Sequence, residues 1–241
     1  MAHRKFTGTL FAQDRPALNA TDNCYLMACR HKFEDYLDLE RLDFDPTTLI
    51  VGTFNPAWPA TNAAEWFYGR THDEYGNQNN NFWDVLPRLY GEKSLINQTD
   101  KEWKQFCHDE RIAITDIVQA IDDADEQTPE HIKIIGGYAD DTIAANFYDF
   151  ELTNLVRLIR RHPSITNIYV TRSYTSTFWK QKLYPLIWFC KASGKTLKPL
   201  LTPSGFAFRE QAKYNRQKHN APLTLPDFIK MRWEAVWHNI I

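Results

Sequence analysis

Leu49-Ile50-Val51-Gly52, running directly into Thr53-Phe54-Asn55-Pro56, sets the frame for the rest of the chain. A short apolar run with β-branched members, stopped by a glycine, has the signature of a buried central strand. Further runs of this kind lie at Ile112-Ala113-Ile114, Ile168-Tyr169-Val170-Thr171 and Pro199-Leu200-Leu201. Helical segments separate them. Phe82 to Tyr90 reads as a helix despite Pro87, and Thr99-Asp100-Lys101-Glu102 has the spacing of a capping box that starts another, through His108. Leu152, Leu155, Val156 and Ile159 recur at helical spacing as far as Arg161, ahead of Pro163. Ser176 to Cys190 is largely helical, and Thr224 caps a last helix ending near Trp237. Strands alternating with helices predict the α/β class, as a three-layer αβα sandwich on a central, mainly parallel four-stranded sheet. The domain is expected over 46–241. Residues 1–45 read as an N-terminal extension packed on it, with one helix from His31 to Leu39.

The bulk composition of the 241 residues, 43% hydrophobic and 24% charged, is that of an ordinary globular chain able to bury a core without staples. No leader-like or membrane-spanning apolar run is present, so a cytoplasmic location and reduced thiols at Cys24, Cys29, Cys107 and Cys190 are expected. These cysteines form no CxxC pair and no zinc pattern, and no metal or cofactor is expected. P-loop, GxGxxG, HExxH and GxSxG motifs are all absent, and the acidic run Asp122 to Glu126 lacks the alternation and glycine of a calcium loop. The net charge of −2 conceals a segregation: acids crowd residues 1–152, whereas Glu210 is the only one between Glu151 and Asp227. The basic block from Arg157 to Lys218 predicts a face for a polyanion, the plainer alternative being a mottled surface.

In open parallel sheets ligands bind beyond the carboxyl ends of the strands, and the chemistry-bearing residues fall there. Asn55, next to Phe54, can hold a water by hydrogen bonding without acting as a base; alternatively Asn-Pro simply makes a turn. The segment from Asn55 to Asn81 is a long loop without a period, a kind that tends to carry function. Within it Tyr68 can stack on a base, worth roughly 1–3 kcal/mol. Asn80 can cap the helix at Phe82 or stiffen a pocket. Thr115 or Asp116, ending the second strand, can read a base edge, or Asp116 can cap a turn. In Thr202-Pro203-Ser204-Gly205 the Ser204 hydroxyl and nearby backbone N–H groups can grip a phosphate. Phe206 is then placed as an apolar wedge, with Arg209 and Lys213 following where flanking phosphates would run.

Taken in order, these segments resemble the uracil-DNA glycosylase superfamily, and most closely its mismatch-specific uracil/thymine and hypoxanthine branches. Phe54-Asn55-Pro56 is similar to the first motif, Tyr68-Gly69 and Asn80-Asn81-Phe82-Trp83 to the stacking aromatic and the element after it, and Ile114 to Val118 to the pocket strand. Thr202-Pro203-Ser204-Gly205-Phe206 resembles the second motif and its wedge. The likeness spans residues 46 to 220. It departs from the pattern in one extra residue between Gly52 and Asn55, a longer loop between Tyr68 and Asn80, and Thr202 where relatives carry Asn or His. The resemblance implies hydrolysis of the N-glycosidic bond of a flipped, deaminated or mismatched base in DNA, by a monomer without cofactor. Asn55 would then position the water and act with Ser204 as the catalytic pair. Phe54, Tyr68, Asn80, Thr115 and Asp116 would hold the base, while Thr202, Gly205, Phe206, Arg209 and Lys213 would meet DNA. Two other readings stay open: a catalytically silent nucleic-acid-binding protein on this scaffold, and a nucleoside N-ribosyl hydrolase.

Overall fold

The computed structural model describes residues 28–173, 176–217 and 221–237; Cys24, most of the N-terminal extension and Lys218 lie outside them. Seven strands occur among these residues: β1 (Cys29–Arg30), β2 (Thr48–Gly52), β3 (Ile112–Asp116), β4 (Val118–Ile121), β5 (Phe150–Leu152), β6 (Asn167–Val170) and β7 (Thr196–Pro199). The helices are α1 (Phe82–Leu89), α2 (Asp100–Asp109), α3 (Pro129–Gly136), α4 (Asp140–Asn146), α5 (Leu155–Arg161), α6 (Thr177–Ser193), α7 (Phe208–Gln217) and α8 (Leu225–Glu234).

Four strands form an all-parallel sheet in the order β3-β2-β6-β7. Because side chains alternate across a strand, each central strand feeds two cores. Leu49 and Val51 of β2 face one, with Ala113, Ile168, Val170 and the inner sides of α5 and α6. Ile50 faces the other, with Ile112, Ile114, Tyr169 and the apolar faces of α1, α2 and α8. The result is the expected αβα sandwich. Thr99 caps α2 by a capping box, and the Thr224 hydroxyl accepts the Asp227 N–H at the head of α8.

A second, antiparallel sheet, β1-β4-β5, differs from the sequence expectation. Only Ile117 separates β3 from β4, and the single apolar run is split between two sheets. The proposed His31 to Leu39 helix is instead an isolated bridge at His31 followed by one 3-10 turn, Glu34–Tyr36. Leu39 adopts φ +64°, which a continuing right-handed helix excludes. Leu152 belongs to β5 rather than to the next helix, which begins at Leu155 with the Asn154 side chain accepting the Arg157 N–H. The fourth parallel strand is Thr196–Pro199, so Leu200 and Leu201 already belong to the loop beyond its carboxyl end.

Candidate functional site at the carboxyl ends of the parallel strands

Parallel register brings Gly52, Asp116 and the Val170-Thr171 junction to one edge of the sheet. Gly52 is the centre of this edge. A Cβ built on it would stand 2.1 Å from Asp116 Oδ1 and 2.7 Å from the Tyr68 hydroxyl, so both side chains occupy the space that glycine vacates. The Asp116 carboxylate is buried. Its Oδ2 lies 2.7 Å from His31 Nε2, while His31 Nδ1 accepts the Phe33 N–H at 2.9 Å. That second bond fixes the ring proton on Nε2, where it is donated to Asp116. Among the described residues no hydrogen bond reaches Asp116 Oδ1, whereas Oδ2 is held by His31.

Tyr68 stacks face to face on Phe82, with centroids 3.8 Å apart and planes 4° apart, and its hydroxyl meets Thr171 Oγ1 at 2.9 Å. Its backbone lies in the left-handed region at φ +58°, a conformation that costs a non-glycine residue about 1–3 kcal/mol and persists where the surroundings over-determine it. Burial pushes its phenol well above the usual range, and Asp116 adds to the shift, so the ring stays neutral.

Asn55 is half-buried, and its Oδ1 accepts from Asn62 Nδ2 at 2.8 Å. Asn62, itself buried, also donates to the Pro56 carbonyl at 2.7 Å. Phe54 packs edge-on to the His31 ring at 5.9 Å. Beyond β6, Arg172 donates to Asp140 Oδ2 (2.8 Å) and Asp141 Oδ1 (3.0 Å) and lies over the Trp179 ring. Burial lifts the Asp140 carboxyl to about 6, against the opposing pull of Arg172 and a hydrogen bond from Thr53. Arg70, two residues after Tyr68, stacks on Tyr138, and its buried Nη1 has no hydrogen-bond partner among the described residues.

The loop after β7 is tied to the same rim. Asn81 N–H and Nδ2 both donate to the Pro203 carbonyl, at 2.7 and 2.8 Å, and Asn80 bridges to Ser204. Ser204 and Thr202 share a hydroxyl hydrogen bond of 2.9 Å. Gly205 and Phe206 lie in an exposed 3-10 turn, Phe206 being 72% exposed, and Phe208 beside it is 60% exposed. Arg209 and Lys213 stand one turn apart on the open side of α7, outside any ion pair among the described residues; Glu210 is taken up by Arg232.

Two of the sequence-selected polar residues, Thr115 and Asn80, are engaged by the protein's own backbone. Thr115 is fully buried and donates its hydroxyl to the Leu37 carbonyl at 2.8 Å, so of the pair left open for base reading Asp116 alone reaches the rim. Asn80 uses its side-chain oxygen to accept the Phe82 N–H, which serves the start of α1. No hydrogen bond joins Asn55, Tyr68 and Ser204 directly. They are linked in two branches, Asn55 through Phe54 and His31 to Asp116, and Ser204 through Asn80 and Phe82 to Tyr68. A cavity of about 170 Å³ lies elsewhere, beside the edge strand β3, lined by Tyr36, Trp66, Lys104 and Ile114 among others. His31, Asn62 and Arg70 escaped the sequence reading, since each is a lone polar residue in a segment without a period.

The fold and this edge define an α/β protein with a polar and aromatic rim at the carboxyl ends of a parallel sheet. Among the described residues no group of three or more His, Cys, Asp or Glu is placed to hold a metal ion, and no helix is long and apolar enough to cross a membrane. No protein-family model matches the chain, and no curated protein matches it in sequence. Among solved structures it is similar to a solution NMR structure from Methanosarcina acetivorans, provisionally named a uracil DNA glycosylase. The identity is 17% and the TM-score 0.47, over 82% of this chain and 94% of that one.

Proposed function

We propose that this protein is a DNA glycosylase that hydrolyses the N-glycosidic bond of a flipped, deaminated or mismatched base. The observation that carries the reading is the meeting of a buried carboxylate and a stacked phenol over Gly52, on the same rim as Asn55 and the exposed Phe206 loop. Phe206 fills the gap in the stack, and Arg209 and Lys213 meet the flanking phosphates. The extruded base lies against the face of Tyr68 that Phe82 does not cover, and Asp116 Oδ1 accepts a ring N–H or an exocyclic amine of the base. Asn62 holds one lone pair of Asn55 Oδ1, and the other accepts an O–H of the attacking water. The C1′–N bond breaks with its electron pair passing to the base. The water oxygen then bonds to C1′ and gives up its proton to solvent.

Duplexes carrying uracil, hypoxanthine, xanthine or mismatched thymine test this directly, with alkali-labile sites as the readout. Release of at least one base, abolished by Asn55→Ala with binding retained, is the expected result. Binding with no release from any of the four would end the enzymatic reading. One observation favours a silent DNA-binding protein instead: Thr202, where the resembled superfamily carries Asn or His, has only a hydroxyl to offer, and that hydroxyl is engaged with Ser204. Under that reading Asn55→Ala changes nothing measurable.

A further inference from the structure

Helix α6 buries Trp179, Leu183, Leu186 and Cys190, at the spacing of one inward face. Its opposite face sets Lys180, Tyr184, Trp188 and Lys191 in one exposed line, at intervals of four, four and three residues. Tyr184 is 58% exposed and Trp188 62%, an unusual place for a large aromatic pair on a helix that otherwise packs well. No acidic residue occurs between Glu151 and Glu210, so nothing on α6 neutralises its lysines, and among the described residues neither Lys180 nor Lys191 enters an ion pair. The adjoining α5 presents Arg157 and Arg160, with the Arg160 guanidinium 5.3 Å over the Phe189 ring, while Arg161 is taken up by Glu40. Cations interleaved with open aromatic faces complement phosphates interleaved with unpaired bases. A duplex hides its base faces, so the complement is a single strand.

We propose that the outer face of α6 is a second contact surface, one that takes single-stranded DNA by stacking bases on Tyr184 and Trp188 and meeting phosphates with Lys180 and Lys191. The four residues span about 16 Å at the helical rise, the length of a few nucleotides. Because α6 leaves the carboxyl end of β6 and returns to the start of β7, the line begins near the rim and runs away from it. The surface needs neither Asn55 nor a flipped base; only the choice of DNA over RNA rests on the proposed function.

The test is fluorescence anisotropy of the full chain with a labelled, undamaged oligothymidine, its RNA counterpart and a duplex, over a range of salt. Trp188→Ala and Tyr184→Ala should each weaken oligothymidine binding by about tenfold or more, and Trp188→Phe should restore most of the loss. Lys180→Gln with Lys191→Gln should reduce the salt slope by about 1.4, since each phosphate contact in a single strand contributes about 0.7. Circular dichroism should show all of these variants folded, as the altered side chains are exposed. Affinity within twofold of the parent for both aromatic variants overturns the proposal, and so does tighter binding of the RNA or the duplex. A dimer in sedimentation that Trp188→Ala dissociates would make this face a contact between copies and overturn it equally. Absence of base release with oligothymidine binding intact would sink the glycosylase reading alone.

Discussion

Replacing His31 by alanine should strip the Asp116 carboxylate of its partner and expose how much of the rim depends on that pair. His31 Nε2 donates to Oδ2 at 2.7 Å with both side chains almost wholly buried. A hydrogen bond to a charged group is worth about 1.5–3 kcal/mol net. Removing one partner of a buried pair costs more, about 3–5 kcal/mol, because the remaining charge keeps its desolvation penalty. The ring also packs at 5.5–5.9 Å on Phe33, Phe54 and Phe67. A loss of about 3–5 kcal/mol is thus expected from a domain whose whole stability is about 5–15 kcal/mol. Urea unfolding should show it as a lower midpoint. In an Asp116→Asn background the same replacement should cost less, giving a coupling of about 1.5–3 kcal/mol, and His31→Gln should recover part of the loss by keeping a donor. A loss under about 1 kcal/mol, or a coupling indistinguishable from zero, would refute the buried charge-assisted bond as the anchor of Asp116.

Other consequences are as direct. Gly52→Ala puts a methyl group on Asp116 Oδ1 and the Tyr68 hydroxyl, so thermal melting should report a loss of about 1–3 kcal/mol and base release should disappear; normal turnover would mean the rim is not the site. Asn62→Ala frees Asn55 and should lower kcat by up to about a hundredfold with KM little changed, whereas a change in KM alone would place Asn62 outside water positioning. Asp140 binds its proton more tightly folded than unfolded, with its carboxyl lifted from 3.8 to about 6, so its contribution is fully present below pH 3.8 and is lost as pH rises through 6. Since 34% of the side chain reaches solvent the effect is small, and Asp140→Asn should flatten melting temperature between pH 4 and 7; parallel profiles would contradict the lifted carboxyl. The Cys29 and Cys190 thiols, pushed by burial up to about 12 and about 11, should resist alkylation until the protein unfolds, and rapid labelling of the native protein would count against their burial.

The parallel sheet could be read in advance because Leu49, Ile50 and Val51 must all be buried, which requires cover on both faces. The caps at Thr99 and Thr224 were equally plain, since a cap is a local agreement between one side chain and the next three residues. The antiparallel sheet was not legible. Its first strand is two residues long, and β4 follows β3 after Ile117 alone, so no period marks the change of sheet. Helix α4 was missed because Asp140 and Asp141 at its head leave only Ile143 buried. At the candidate rim, Asn55, Tyr68 and Asp116 are legible through their places at strand ends or in the loop that follows one. His31 and Asn62 matter through contacts 85 and 7 positions away along the chain, and no spacing rule encodes the first of these.

The short segment around His31 also determines how the protein can be divided. Backbone bonds run from Lys32 N–H to the Asn55 carbonyl, from Ala57 N–H to the Arg30 carbonyl and from His31 N–H to the Gln119 carbonyl, at 2.7–2.8 Å. A fragment begun at Pro46 would keep every glycosylase-like motif, yet it would bare the β4 edge and leave a carboxylate stranded in the interior. Such a piece should accumulate as insoluble material, and adding the missing peptide in trans should return it to solution.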